Sequence, residues 1–216
     1  MPKVVAFALA GALALLAALP AAAQSRGRPG DFDFWVLSLS WSPSWCEATG
    51  AARGDAQCAR PFAFVVHGLW PQKTRGFPSD CPTGEPGPSR ADVDGVLDVM
   101  PSPGLVRHEW RTHGTCSGLS ARAYFSVIRK LSEKIRIPDE FKSPDRPRMV
   151  ATRDVEAAFM SANRGLDADE ISISCDARRL REVRICLKKD LTAFTACPEV
   201  ERRDCRAPKL YMPAVR

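Results

Sequence analysis

The sequence predicts an α+β domain built on a central antiparallel β-sheet flanked by helices and stapled by disulfides. Three observations predict it. β-rich runs stand at both ends of the chain, residues with helical spacing fill the middle, and no segment repeats or alternates strand with helix as a parallel sheet requires. With 216 residues, 45% hydrophobic and 26% charged, the chain suits one globular core rather than a disordered or fibrous protein.

Residues 1–23 have a pattern of their own. A short basic start with Lys3 precedes an apolar run from Val4 to Leu19, and Ala21, Ala22 and Ala23 supply small residues before Gln24, the organisation of a secretory signal. A single domain over 24–216 is expected to remain, with 30 Lys and Arg against 25 Asp and Glu. That surplus suits a polyanionic partner without identifying one. No later run approaches the roughly 20 apolar residues of a membrane span. The mature chain is therefore expected to be a monomer, secreted or periplasmic, with no membrane association.

Residues 24–31 are polar and aperiodic and are expected to be mobile. The run FDFWVLSLSW (32–41) alternates large apolar with small or polar residues, which predicts a half-buried strand that Pro43 ends. A small polar loop follows at 47–60. PFAFVVHGLWP (61–71) predicts a second strand delivering His67 to its end. Residues 71–90, rich in Pro, Gly and Ser, predict a long surface loop held at Cys81. Val93, Val96, Leu97 and Met100 have helical spacing, and LVRHEWRTHGTC can form about two helical turns before Gly114. In AYFSVIRKLSEKIRIP the apolar Phe125, Ile128, Leu131 and Ile135 share one face of an amphipathic helix that stops before Pro138. Residues 138–152 are a charged connection. TRDVEAAFMSANRG predicts a helix with Thr152 as N-cap and Gly165 as its stop. EISISC, EVRICL and LTAFTAC predict three short strands, followed by a polar tail after Cys205.

All eight cysteines, Cys46, Cys58, Cys81, Cys116, Cys175, Cys186, Cys197 and Cys205, lie beyond the signal, and an even count in an exported chain points to four disulfides. Zinc is the rival use of cysteine, but no C-x₂-C or C-x₄-C pair occurs. Sequence order alone leaves 105 pairings open.

There are only three histidines, His67, His108 and His113, and two of them fall within six residues. An imidazole titrates near neutrality, so this distribution points to proton transfer. On a helix Glu109 and His113 share a face, which would let Glu109 orient that ring, and His67 is left to act from the opposite side. HEWRTH is not the zinc motif H-E-x-x-H: its histidines are five apart, about 140° around the axis instead of on one face. The chain also lacks a G-x-S-x-G elbow and an evident free cysteine nucleophile. No metal and no cofactor are expected.

HGLWP at 67–71 and HEWRTHGTC at 108–116 resemble the two catalytic motifs of the ribonuclease T2 family, secreted endoribonucleases that use no metal. The resemblance continues in LSWSPSWC at 39–46 and SCDARRLREVRICL at 174–187, and it covers about residues 32–205. It implies a ribonuclease T2-like fold and cleavage of single-stranded RNA by transphosphorylation. In that reaction the ribose 2′-OH attacks the adjacent phosphate, expels the 5′-oxygen and leaves a 2′,3′-cyclic phosphate. Carried over by motif position, His113 would be the base, His67 the acid, His108 a phosphate contact, and Glu109 a support for the pentacovalent phosphorane. Trp70 and Trp110, inside the motifs, are candidates for stacking on bases, while Trp35, Trp41 and Trp45 are assigned to the core. Lys73, Arg75 and Arg107 are candidate contacts to the RNA backbone. No segment reads as a base-specific code, so little base preference is expected.

One position departs from the family. Members usually carry Lys immediately before the last motif histidine, whereas this chain has Thr112, with Arg111 one place earlier. Threonine donates a hydrogen bond but brings no charge to a phosphorane, so Arg111 and Thr112 are both candidate substrate contacts. The resemblance also suggests pairing Cys81 with Cys116 and Cys175 with Cys186, leaving Cys46 with Cys58 and Cys197 with Cys205. The rival functional class is an exported RNA-binding or cytotoxic protein in which catalysis is secondary; it would keep its function in His113→Ala.

Overall fold

A computed structural model describes residues 27–216, so the expected signal lies outside the described residues. Strand β1, Phe34–Trp41, is the spine of the molecule. Strand β2, Phe64–Gln72, pairs along one of its edges and strand β5, Leu180–Lys188, along the other. Strand β4, Ile171–Cys175, extends the sheet beyond β5. The order is β2-β1-β5-β4 and every pairing is antiparallel, as the sequence predicts. A separate ribbon pairs β3, Arg148–Val150, with β6, Leu210–Met212. These two short strands replace what the sequence presents as a charged connection and a polar tail. LTAFTAC is not a strand and contributes only an isolated bridge from Phe194 to Leu187.

The strand period of two gives the sheet two unlike faces. Trp35, Leu37, Leu39 and Trp41 from β1 enter one large core with Val183, Ile185 and Leu187 from β5 and Ile171 and Ile173 from β4. Helices cover that face. Helix α4, Ala121–Lys134, buries Tyr124, Phe125, Ile128 and Leu131, the expected apolar stripe, and is capped by Ser120, whose Oγ accepts from the Ala123 N–H. Helix α5, Thr152–Ala162, buries Val155 and Phe159. Thr152 is its first helical residue and not its cap; Ala151 holds the cap position without a side-chain hydrogen bond. Trp45 is half-buried rather than core.

Two shorter elements and a third helix complete the fold, the latter two burying Val93, Val106 and Trp110 in the same core. Residues after β1 form a tight helical turn, α1, Ser42–Trp45, then further single turns up to Ala59 where a loop is expected. Helix α2, Arg90–Asp94, is capped reciprocally by Ser89 and Asp92. Helix α3, Pro103–Thr112, starts on Pro103, whose ring supplies the helical φ at a position where no N–H is needed, and ends at His113.

The bridges are Cys46–Cys58, Cys81–Cys116, Cys175–Cys205 and Cys186–Cys197. The expected pairs Cys175–Cys186 and Cys197–Cys205 are therefore exchanged, and strand register explains why. Cys175 lies opposite Leu180, whereas Cys186 is six residues further along β5, about 20 Å away. A disulfide spans Cα atoms 4.4–6.8 Å apart. Cys205 instead follows the bond its N–H makes to the Ile173 carbonyl (2.8 Å), and Cys197 anchors the turn α6, Pro198–Glu201, over Cys186. The residues expected to be a mobile leader are held down from Gly27 onward: Gly30 N–H donates to the Cys116 carbonyl (2.9 Å), and Lys189 Nζ donates to the Gly30 carbonyl (2.8 Å).

Candidate active site

The second face of the sheet carries the motifs. The β1–β2 register runs Ser38↔Gly68 and then Leu39↔Val66, so His67 is the extra residue of a β-bulge. His67 thus sits in mid-strand, not at the strand end that the sequence predicts. A bulge re-aims a side chain that strict alternation would send to the wrong face. Gly68 follows for a steric reason: a Cβ there would lie 1.9 Å from Glu109 Oε2 and 2.5 Å from Trp70 Nε1. Its missing side chain is the space into which α3 lowers Glu109.

Glu109 is 1% exposed, and its two oxygens are engaged separately. Trp70 Nε1–H donates to Oε2 at 2.8 Å, and Oε1 stands 3.6 Å from His67 Nε2. Glu109 therefore faces His67 rather than orienting His113, as helical spacing alone predicts. Burial pushes its carboxyl up to about 7, against the pull of His67 and the Trp70 hydrogen bond. His113 also packs against the Trp70 indole; the centroids of both imidazoles are 5.4 Å from that ring. Burial, with the neighbouring His67 and His108 adding repulsion, pushes His113 down to about 3, and its Nδ1 is buried without a hydrogen-bond partner. Trp70 thus touches both imidazoles, which sit in opposite environments.

A residue outside both motifs completes the arrangement. Glu182 of β5 accepts from His67 Nδ1–H at 2.6 Å. Burial pulls the His67 pKa down, but the Glu182 hydrogen bond and charge, helped by Glu109, outweigh it and leave it raised. Glu182 itself is brought down to about 2: burial opposes this, and the His67 bond and Arg184 override it. Within EVRICL the charged Glu182 and Arg184 alternate with buried Val183 and Ile185, so they share a face. The sequence shows that they face away from the core, but not that β1 brings that face beside a residue 115 positions earlier.

The remaining candidates separate. His108 and Arg111 are exposed on α3 and Thr112 is half-buried. The side chains of Arg111 and Thr112 have no hydrogen-bond or ion-pair partner among the described residues, so neither takes over a structural role from the usual lysine. Trp110 does not wall the cleft: it is 3% exposed, packs edge-on to Tyr124 (5.9 Å) and shares the core face of α3 with Val106, four residues earlier. Lys73 is paired with Asp31 at 2.7 Å. Arg107 bonds the Pro103 carbonyl. The 71–90 loop is pinned to the motif helix by Cys81–Cys116 and by Asp80 N–H donating to the Thr112 carbonyl (2.9 Å).

Two cavities open on this face. One, about 250 Å³, is lined by Trp70, Gln72, Phe77, His113, Arg184 and Arg203, among others. The second, about 100 Å³, lies on the side of His67 with Trp45, Gln57, Leu105 and Glu182. Among the described residues no group of three or more His, Cys, Asp or Glu is placed to hold a metal ion.

Two imidazoles in unlike environments beside a buried carboxyl, with a cavity by each ring, form a site suited to histidine acid–base chemistry. The ribonuclease relationship is borne out by comparison. The chain belongs to the Ribonuclease T2 family, whose model it matches over residues 32–197. It is 35% identical over 206 residues to a ribonuclease of Aeromonas hydrophila, covering 90% of this chain and 92% of that protein. Its fold is that of the self-incompatibility-associated SF11-RNase of Nicotiana alata (TM-score 0.65, 18% identity, 85% of this chain and 100% of that one). It is equally that of RNase NT, solved with 5′-AMP (0.61, 21% identity, 85% and 99%). The protein is an endoribonuclease.

Proposed function

We propose that this enzyme cleaves single-stranded RNA with little base preference, using His113 as general base and His67 as general acid. The observation that carries the assignment is that two imidazoles in unlike surroundings both lie 5.4 Å from Trp70: burial lowers the pKa of His113, whereas at His67 the 2.6 Å bond to Glu182 and its charge outweigh burial and leave the pKa raised. Neutral His113 removes the 2′-OH proton as O2′ attacks phosphorus. His67 Nε2–H protonates O5′ as the P–O5′ bond breaks, giving a 2′,3′-cyclic phosphate and a free 5′-hydroxyl. The later hydrolysis of the cyclic ester runs the roles in reverse, with water in place of O5′. DNA has no 2′-OH and is not a substrate. Both protons move through imidazoles, so the reaction as written requires no metal-bound water.

Glu109, with its carboxyl near 7, donates a hydrogen bond to a phosphorane oxygen when protonated. Exposed His108 contacts the phosphate, and the two cavities hold the bases on either side of the scissile bond with Trp70 between them. Residues 1–23 direct export and are removed, which suits the oxidised state of all eight cysteines, and the mature chain acts as a monomer without membrane attachment.

The test is product analysis. With chelator present, the purified protein should convert RNA to fragments ending in 2′,3′-cyclic phosphate. His113→Ala should lose about 10²–10⁴-fold in kcat/KM while still binding RNA. The pH profile has a definite sign: the acidic limb, set by His113, falls well below 6.5, and the basic limb, where His67 and Glu109 lose protons, falls from neutrality upward. Dependence on a divalent ion, or full activity in His113→Ala, would remove the assignment.

A further inference from the structure

Glu182 and Arg184 belong to no motif of the acid–base pair, yet they are built into its floor. Ser40 pairs with Glu182 and Ser38 with Arg184 across β1, so both charged residues stand beside His67 and Gly68 on the second face of the sheet. Glu182 is 7% exposed. A carboxylate taken so far out of water is costly unless both oxygens are matched. Here they are: Oε1 accepts from His67 Nδ1–H at 2.6 Å, and Oε2 accepts from Arg184 Nε at 3.0 Å and Nη2 at 2.7 Å. The Arg184 guanidinium lies over the Trp70 indole at 5.4 Å, and Trp70 is edge-on to His67. The four side chains form a closed circuit of contacts, from His67 to Glu182 to Arg184 to Trp70 and back to His67.

We propose that Glu182 is a positioning residue for His67: its carboxylate holds the ring with Nδ1–H bonded to β5 and Nε2 turned into the cleft, and Arg184 holds the carboxylate in turn. The inference rests on the reading of His67 as the acid. Only one imidazole nitrogen then remains to carry the transferred proton, and it is the one 3.6 Å from Glu109, at the mouth of the cleft. The charge on Glu182 also favours protonated His67, the state an acid needs at the start of the cycle. Arg184 opposes it, so the two residues set the acid from opposite directions. The other titratable or charged groups around His67 are Glu109 on α3, His113 against the same Trp70 indole, and Asp55 and Arg181 at the rim of the smaller cavity.

Opposite signs make the test specific. Glu182→Gln keeps an acceptor for Nδ1–H and removes the charge, whereas Arg184→Gln removes the opposing cation. The pH dependence of kcat/KM and the titration of the His67 ring by NMR are measured for each. In Glu182→Gln both should move down by about one pH unit or more, with roughly tenfold lower kcat/KM on the alkaline side. In Arg184→Gln the His67 titration should move up. If Glu182→Gln does not fold, Glu182→Asp, whose shorter side chain draws the carboxylate back from the 2.6 Å contact with Nδ1, takes its place with the same downward shift expected. Unchanged His67 titration in the folded variants overturns the inference. His67→Ala separates this from the underlying reading: activity retained there sinks the acid assignment, whereas activity lost there with a normal Glu182→Gln profile sinks only the role of Glu182.

Discussion

The two faces of the sheet are made by the same strands and obey different rules. On the helix-covered face β1 and β5 present Trp35, Leu37, Leu39, Val183, Ile185 and Leu187, all buried with apolar neighbours. One residue out of phase, the same strands present Ser38, Ser40, Glu182 and Arg184 beside His67 and Gly68. The first face is held by area removed from water, which tolerates exchange of one aliphatic group for another of similar volume. The second has a smaller apolar patch of Phe34, Val36, Cys186, Cys197 and Val200 at one end, and beside it paired charges and directed hydrogen bonds, where a change of one atom alters protonation. The main core and the chemistry thus lie on opposite sides of a single layer.

That allotment can be broken in order of effect. The largest change is expected from Ile185→Ala on the packed face: about 2–5 kcal/mol of stability lost in urea unfolding, with kcat/KM of the folded fraction nearly unchanged. A drop in kcat/KM beyond the unfolded fraction would mean that the faces are coupled. Gly68→Ala should do the reverse. Its Cβ must displace the Glu109 carboxyl and the Trp70 indole nitrogen, a misplacement expected to cost about 10²-fold in kcat/KM, while thermal unfolding shows far less change than in Ile185→Ala. Wild-type kinetics in Gly68→Ala would show that the close approach of α3 is dispensable. The smallest change is expected from Thr112→Lys, which restores the family's usual cation beside His113. A rise of about fivefold in kcat/KM, on the order of 1 kcal/mol, is expected, and turnover unchanged or lower shows that the missing charge does not limit the reaction.

Much of this contrast is legible in the chain itself. β1, β2, β4, β5, α4 and α5 announce themselves by period, and the two histidine motifs are contiguous strings. What is not legible depends on long-range pairing. The β3–β6 ribbon consists of three-residue strands 60 positions apart, too short to show a period. Cys175 and Cys186 look like neighbours along the chain but are separated by the register of the hairpin that contains them. Glu182 reads as the polar side of a strand until the sheet order places β1 between it and His67. Trp110 was readable: it is four residues from Val106, and that spacing assigns it to the core side of α3 in preference to the cleft.

The bulge at His67 has a consequence for folding. Sliding β2 by one residue against β1 would exchange the faces of its side chains, driving His67 among the apolar groups and exposing Leu69. The mispaired sheet would lose both its packing and its acid at one stroke. Ribonuclease activity is therefore a direct reporter of correct strand register in this molecule, and recovery of turnover during refolding should coincide with burial of the sheet, with no inactive native-like species accumulating ahead of it.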